Sequence, residues 1–177
     1  MTSVFGRLLT LRRDERAATA VEFAILSVPL FALILGSLQL SMIFYVGQLL
    51  QTAAVSASRE LMTGADQQAS PPLTAAQYQA DVCSFAPIVF TCNNIVVDVE
   101  SASSYSTLNT APITITYNSS GQPNQGAYSP GTPGQITIVR VMYSWPVIAS
   151  PLFPGLANQS NGNHLLVGTS VFKTEPY

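Results

Sequence analysis

The sequence predicts an α+β protein: one long N-terminal helix carrying a transmembrane segment, then a small head with a three- or four-stranded antiparallel sheet. Three observations predict it. Thirty-six consecutive residues between Glu22 and Arg59 carry no charge. Beyond Phe90, short runs alternate and are rich in β-branched residues, as strands require. Stretches dense in Gly, Pro, Asn and Ser separate those runs, as connections require.

The first element is a basic leader, residues 1–17, with Arg7, Arg12, Arg13 and Arg16 set against Asp14 and Glu15. The helix is expected over 18–63, with its membrane-spanning part at about 23–46. From Phe23 to Val46 the only polar side chains are Ser27, Ser37, Gln39 and Ser41. Twenty-four helical residues reach about 36 Å, more than the roughly 30 Å hydrocarbon layer. The arginines before the span and the acidic chain after it predict a cytoplasmic N-terminus and an external head, by the positive-inside rule. A cleavable secretory signal would have an apolar core of about 7–15 residues, shorter than this one, although Val55-Ser56-Ala57 offers a small-residue site after it.

Ala53, Ala54, Ala57, Leu61 and Met62 continue the helical spacing up to Gly64, a C-terminal stop. The pairs Ser37/Ser41, Ala53/Ala57 and Ala54/Ser58 repeat at four-residue spacing, which allows helices to approach closely. Pro29 and Gly36 are expected to kink or unwind the helix locally.

The head, residues 64–177, opens with a short helix from Thr74 toward Val82, with Thr74 and Gln77 as a capping box after Pro71-Pro72. Strands are expected at Ile95–Glu100, Ile113–Tyr117, Gln135–Tyr143 and Leu165–Lys173. Between them, 118–134 reads as a long mobile connection and 146–163 as a surface excursion. Cys83 and Cys92, outside the bilayer, are expected to form a disulfide in an oxidising compartment.

Composition narrows the function. Only 9% of the 177 residues are charged and 47% are hydrophobic, whereas roughly a quarter of a soluble domain is charged. That balance points to a membrane or an assembly. A net charge of −2 gives no basic field for nucleic acid. A hydrolytic triad would have to use His164, the single histidine, and no Gly-x-Ser-x-Gly turn presents a nucleophile, so no enzyme is expected. Asp66, Asp81, Asp98 and Glu100 are scattered rather than spaced as a calcium loop, so neither metal nor cofactor is expected. Asn118-Ser119-Ser120 and Asn158-Gln159-Ser160 match a glycosylation triplet that arises readily by chance. Tyr143, Trp145 and Phe153 read as cover for the core rather than as an exposed adhesive patch.

Glu22 is the most informative single residue, because a carboxylate at the edge of an apolar span is costly unless it finds a partner. If the chain is cut between Ala17 and Ala18, the new amino group lies one helical turn from Glu22 and can pair with it, or with the Glu22 of a neighbouring subunit, setting axial register. Otherwise Glu22 sits at the headgroup level and favours the helix N-terminus.

The run Arg12-Arg13-Asp14-Glu15-Arg16-Ala17-Ala18-Thr19-Ala20-Val21-Glu22-Phe23, followed at once by the apolar span, resembles the start of TadE-like and TadG-like pseudopilins of the tight-adherence (Tad/Flp) branch of type IV pilus systems. The closing Thr174-Glu175-Pro176-Tyr177 is similar to the Asn-Glu-Pro-aromatic ending of TadE-like proteins, with Thr174 in place of Asn. The resemblance implies a pilin-like fold and processing by a prepilin peptidase at a site formed by Ala17, Ala18, Glu22 and Phe23, although Ala17 stands where the family usually has Gly. It also implies residence in a bacterial inner membrane with a periplasmic head, and partnership with other pilins or pseudopilins and the Tad/Flp assembly machinery. The function implied is that of a minor pilin. The alternative is an unprocessed single-pass protein whose head binds an envelope partner.

Overall fold

Apolar side chains with long, unbroken helical spacing outweigh one internal proline. In this computed structural model, which describes residues 15–148 and 153–176, helix α1 runs over Glu15–Thr63, 49 residues or roughly 74 Å. Most of the leader, with Arg7, Arg12, Arg13 and Asp14, lies outside the described residues. The helix passes through Pro29 and Gly36 without the local unwinding that was one of the two outcomes expected there. Its hydroxyls satisfy themselves locally: Ser27 donates to the Ala24 carbonyl at 3.0 Å, Ser37 to Ile34 at 2.9 Å and Ser41 to Ser37 at 2.8 Å.

The stop at Gly64 is as the sequence predicts. Its φ of 78° is the left-handed conformation that glycine adopts without a Cβ clash. A single turn, α2 (Ala65–Gln68), follows, and then α3 (Ala75–Phe85). At the start of α3 the expected capping box is complete: the Gln77 amide donates to Thr74 Oγ1 at 3.4 Å and the Thr74 amide to Gln77 Oε1 at 2.9 Å.

Three strands, β1 (Val96–Ala102), β2 (Ile136–Pro146) and β3 (Asn163–Lys173), form one antiparallel sheet in the order β1-β2-β3. The register pairs Val99 with Val139 and Val139 with Ser170. Because strand side chains alternate, Val97, Val99, Val139, Val141, Tyr143 and Leu166 share one face. That face meets Ile43, Val46, Leu50, Ala54, Ala57 and Leu61 of α1, with Tyr78 and Val82 of α3, in the main core. The outer half of α1 is therefore a core element of the head.

Two close contacts fix α1 on β3. A Cβ on Gly168 would lie 2.8 Å from the Leu50 carbonyl oxygen, so only glycine allows the backbones this near. Beside it Gln51 occupies the free edge of β3, accepting from the Thr169 amide and donating to the Thr169 carbonyl, both at 2.8 Å. The closing residues continue the clasp. Thr174 is buried, and the Glu175 amide donates at 2.9 Å to the Met62 carbonyl in the last turn of α1.

Two sequence expectations are corrected. Ile113–Tyr117 forms no strand of the sheet; Tyr117 makes only an isolated bridge to Pro123, and Ile115 packs on Val96 and Met142 across the outer face. No sheet edge is open to it, since α1 lies along β3 and Gly126–Ser129 lies along β1. This second edge is held by amide donations from Val99 to Ala127 and from Ser129 to Val99, both at 2.8 Å. The connection expected to be mobile therefore carries an ordered edge-covering segment.

Candidate functional site

The start of α1 holds the residues singled out for processing. Ala17 and Ala18 lie in helical backbone, and Glu22 and Phe23 are exposed one turn further on. Glu22 therefore sits where a new terminus at Ala18 would lie one turn away. From Val21 to Met42 the large apolar side chains are exposed around the helix, with Phe23 70% and Leu33 73% accessible. A helix apolar all round belongs in hydrocarbon or in a helix bundle. Length and composition alone make the helix over Thr19–Thr63 a candidate membrane span.

The small-residue pairs divide between two roles. Ala53, Ala54, Ala57 and Ser58 are buried against the head, where Ser58 Oγ meets Ser170 Oγ at 2.8 Å, so they serve packing within the chain. Ser37 and Ser41 are exposed on the apolar part.

The head reaches down the helix as far as Gly36, whose Cβ position would lie 2.9 Å from the Phe153 ring. Beside it Trp145, Pro146 and Ile148 face Leu35, Leu38, Gln39 and Met42 across an apolar cleft of about 350 Å³. Ile148 is 89% exposed. Tyr143 is buried edge-on to Phe90, with centroids 5.1 Å apart, and accepts from the Thr91 amide at 3.5 Å. Tyr143 lies in the core and Trp145 packs against it, so these two serve as cover, as the sequence suggests, whereas Phe153 lies against Gly36 of α1. His164 is a β3 residue whose Nδ1 lies 2.6 Å from the Leu156 carbonyl oxygen, with no nucleophile bonded to it among the described residues.

Cys83, near the end of α3, and Cys92 are joined as a disulfide with Cα atoms 5.6 Å apart. The bridge ties α3 to the approach of β1.

Residues 17–59 match the family model of TadE-like proteins. The match lies wholly within α1 and begins at Ala17, the residue before the proposed cut. Neither a curated protein nor a solved structure matches the chain. The matched segment is similar to TadE-like proteins, whereas the head, beyond residue 59, lies outside the match.

The carboxylates expected to be scattered are sorted by the fold into two groups. Asp98 and Glu100 on β1 flank the buried Arg140 of β2, with Arg140 Nε 3.3 Å from Asp98 Oδ2 and Nη2 3.5 Å from Glu100 Oε2. The Nε contact is a charge pair too misaligned for a hydrogen bond. The same guanidinium donates to the carbonyls of Asn109 at 2.8 Å and Ala111 at 3.1 Å, pinning the segment that covers the outer face. Asp66 and Asp81 meet Glu60 at the far end of α1. No spacing in the sequence joins residues 60, 66 and 81, which come from three helices.

Proposed function

We propose that this chain is a structural, non-catalytic subunit of a Tad/Flp adhesive pilus system, a minor pilin or pseudopilin that initiates or supports filament assembly. Helix α1 holds it in the bacterial inner membrane, N-terminus in the cytoplasm and head in the periplasm. A prepilin peptidase cuts between Ala17 and Ala18, and other pilins or pseudopilins and the assembly machinery are its partners. The observation that carries this reading is the Ala17–Phe23 motif, which opens both the apolar helix and the family match. After the cut, the ammonium of Ala18 neutralises Glu22 of its own or an adjacent subunit and fixes axial register.

The head's membrane-facing rim supports the topology. From Val21 to Leu35, α1 covers only about 22 Å, short of the roughly 30 Å hydrocarbon layer. The rim formed by Trp145, Ile148 and Phe153 begins at that depth on the helix, so it rests in the outer leaflet, where an aromatic belt is favourable. Lipid fills the apolar cleft beside Leu38 and Met42.

The test is Glu22→Ala in cells lacking the native copy. Membrane insertion should be retained, while surface pili fall to a tenth or less of the native level. Unchanged piliation would refute the register role.

A further inference from the structure

We propose that Glu60, Asp66 and Asp81 form a divalent-cation site suited to calcium, which ties the C-terminal end of α1 to α2 and α3. One carboxylate oxygen from each residue lies within 4.8 Å of the other two. Two oxygens bound to one calcium ion, each at about 2.4 Å, can lie no further apart than that same distance, so all three pairs meet the limit that a shared ion sets. Among the described residues, the ion pairs are those of Arg140 with Asp98 and Glu100, so no cationic side chain offsets this cluster. Arg59 is next to Glu60 in sequence but is exposed on another side of the helix.

A second observation points to a ligand. Asp66 is only 5% exposed, and its buried Oδ2 has no hydrogen-bond partner although the Asp66 carboxylate lies against those of Glu60 and Asp81. The fully buried Tyr78 hydroxyl is likewise unpartnered; burial raises its pKa, and the charges of Asp66, Tyr128, Glu60 and Asp81 raise it further. Burying a carboxylate against two others is costly unless a proton or a cation joins them.

The donor set selects the ion. Three hard oxygens, with no nitrogen or sulfur, disfavour zinc. Calcium accepts irregular geometry and completes its shell with water, whereas magnesium demands a near-ideal octahedron. The bound ion holds three helices together at the end of α1 away from the membrane, next to the Glu175 clasp on Met62. The site depends on the head alone and not on processing or a pilus role.

The experiment uses the full chain in detergent micelles, stripped with chelator. Calcium should raise the melting temperature by about 4 °C or more, well above the effect of potassium chloride at equal ionic strength. Terbium should show tyrosine-sensitised emission through nearby Tyr78, saturating at one ion per chain and displaced by calcium. The Asp66→Asn/Asp81→Asn variant should lose both effects, its emission falling at least tenfold. A calcium shift no larger than that of salt, or one retained in the variant, overturns the site. Absence of calcium-displaceable emission from the native chain overturns it whether or not the variant folds.

Discussion

Arg140 shows how a single buried charge organises the outer face of the sheet. It is 5% exposed, faces Asp98 across the β1–β2 pairing, and holds two carbonyls of the covering segment. Removing one partner of such a pair leaves the other charge buried and unpaired, which costs about 3–5 kcal/mol. Arg140→Met should therefore lower stability by about 3 kcal/mol, measured from the urea midpoint, and adding Asp98→Val should restore a large part of the loss. Asp66 makes the opposite contribution. Burial, then the charges of Glu60 and Asp81, push its pKa from 3.8 up to about 6. A carboxyl whose folded pKa is raised holds more protons folded than unfolded, so stability rises as pH falls from about 6 to 4 and is lost as pH rises again. In chelator, melting at pH 5 should exceed melting at pH 7. Asp66→Asn should flatten that difference and stabilise the protein at pH 7 by about 1–2 kcal/mol, a value reduced for solvent screening.

At the scale of elements, the clasp between α1 and β3 rests on Gly168. Gly168→Val would drive a side chain into the Leu50 carbonyl and the Gln51 backbone, at 2.8 and 3.1 Å from the Cβ position. A loss of about 2–3 kcal/mol is expected, read as a lower urea midpoint, because the facing atoms are helix backbone and cannot turn aside. Features set by neighbouring residues were legible in the sequence: the Gly64 stop, the Thr74/Gln77 box, the long apolar helix and the Cys83–Cys92 bridge each depend on short-range chemistry. Ile113–Tyr117 has the alternation of a strand, but alternation says nothing about whether an edge is free. Here β1 and β3 have other neighbours on their outer sides. The acidic cluster was illegible for a related reason, since the folds at Gly64 and Thr74 bring its members together from three helices.

For the whole molecule, α1 is both a candidate membrane span and a core helix, and the transition falls between Leu35 and Ile43. Trp145 is the single tryptophan and lies at that boundary, so its fluorescence reports the depth of the rim directly. In bilayers containing brominated lipid, emission should be quenched severalfold more than by aqueous iodide; preferential iodide quenching would place the rim in water. The central claim concerns the other end of the helix. Intact-mass measurement of the protein isolated from cells that carry the pilus system tests it most directly. The account predicts a chain beginning at Ala18, two cysteines oxidised, and conversion to the full-length chain when the prepilin peptidase is deleted. A chain still beginning at Met1 in cells with active peptidase would contradict it and leave the protein an unprocessed membrane anchor.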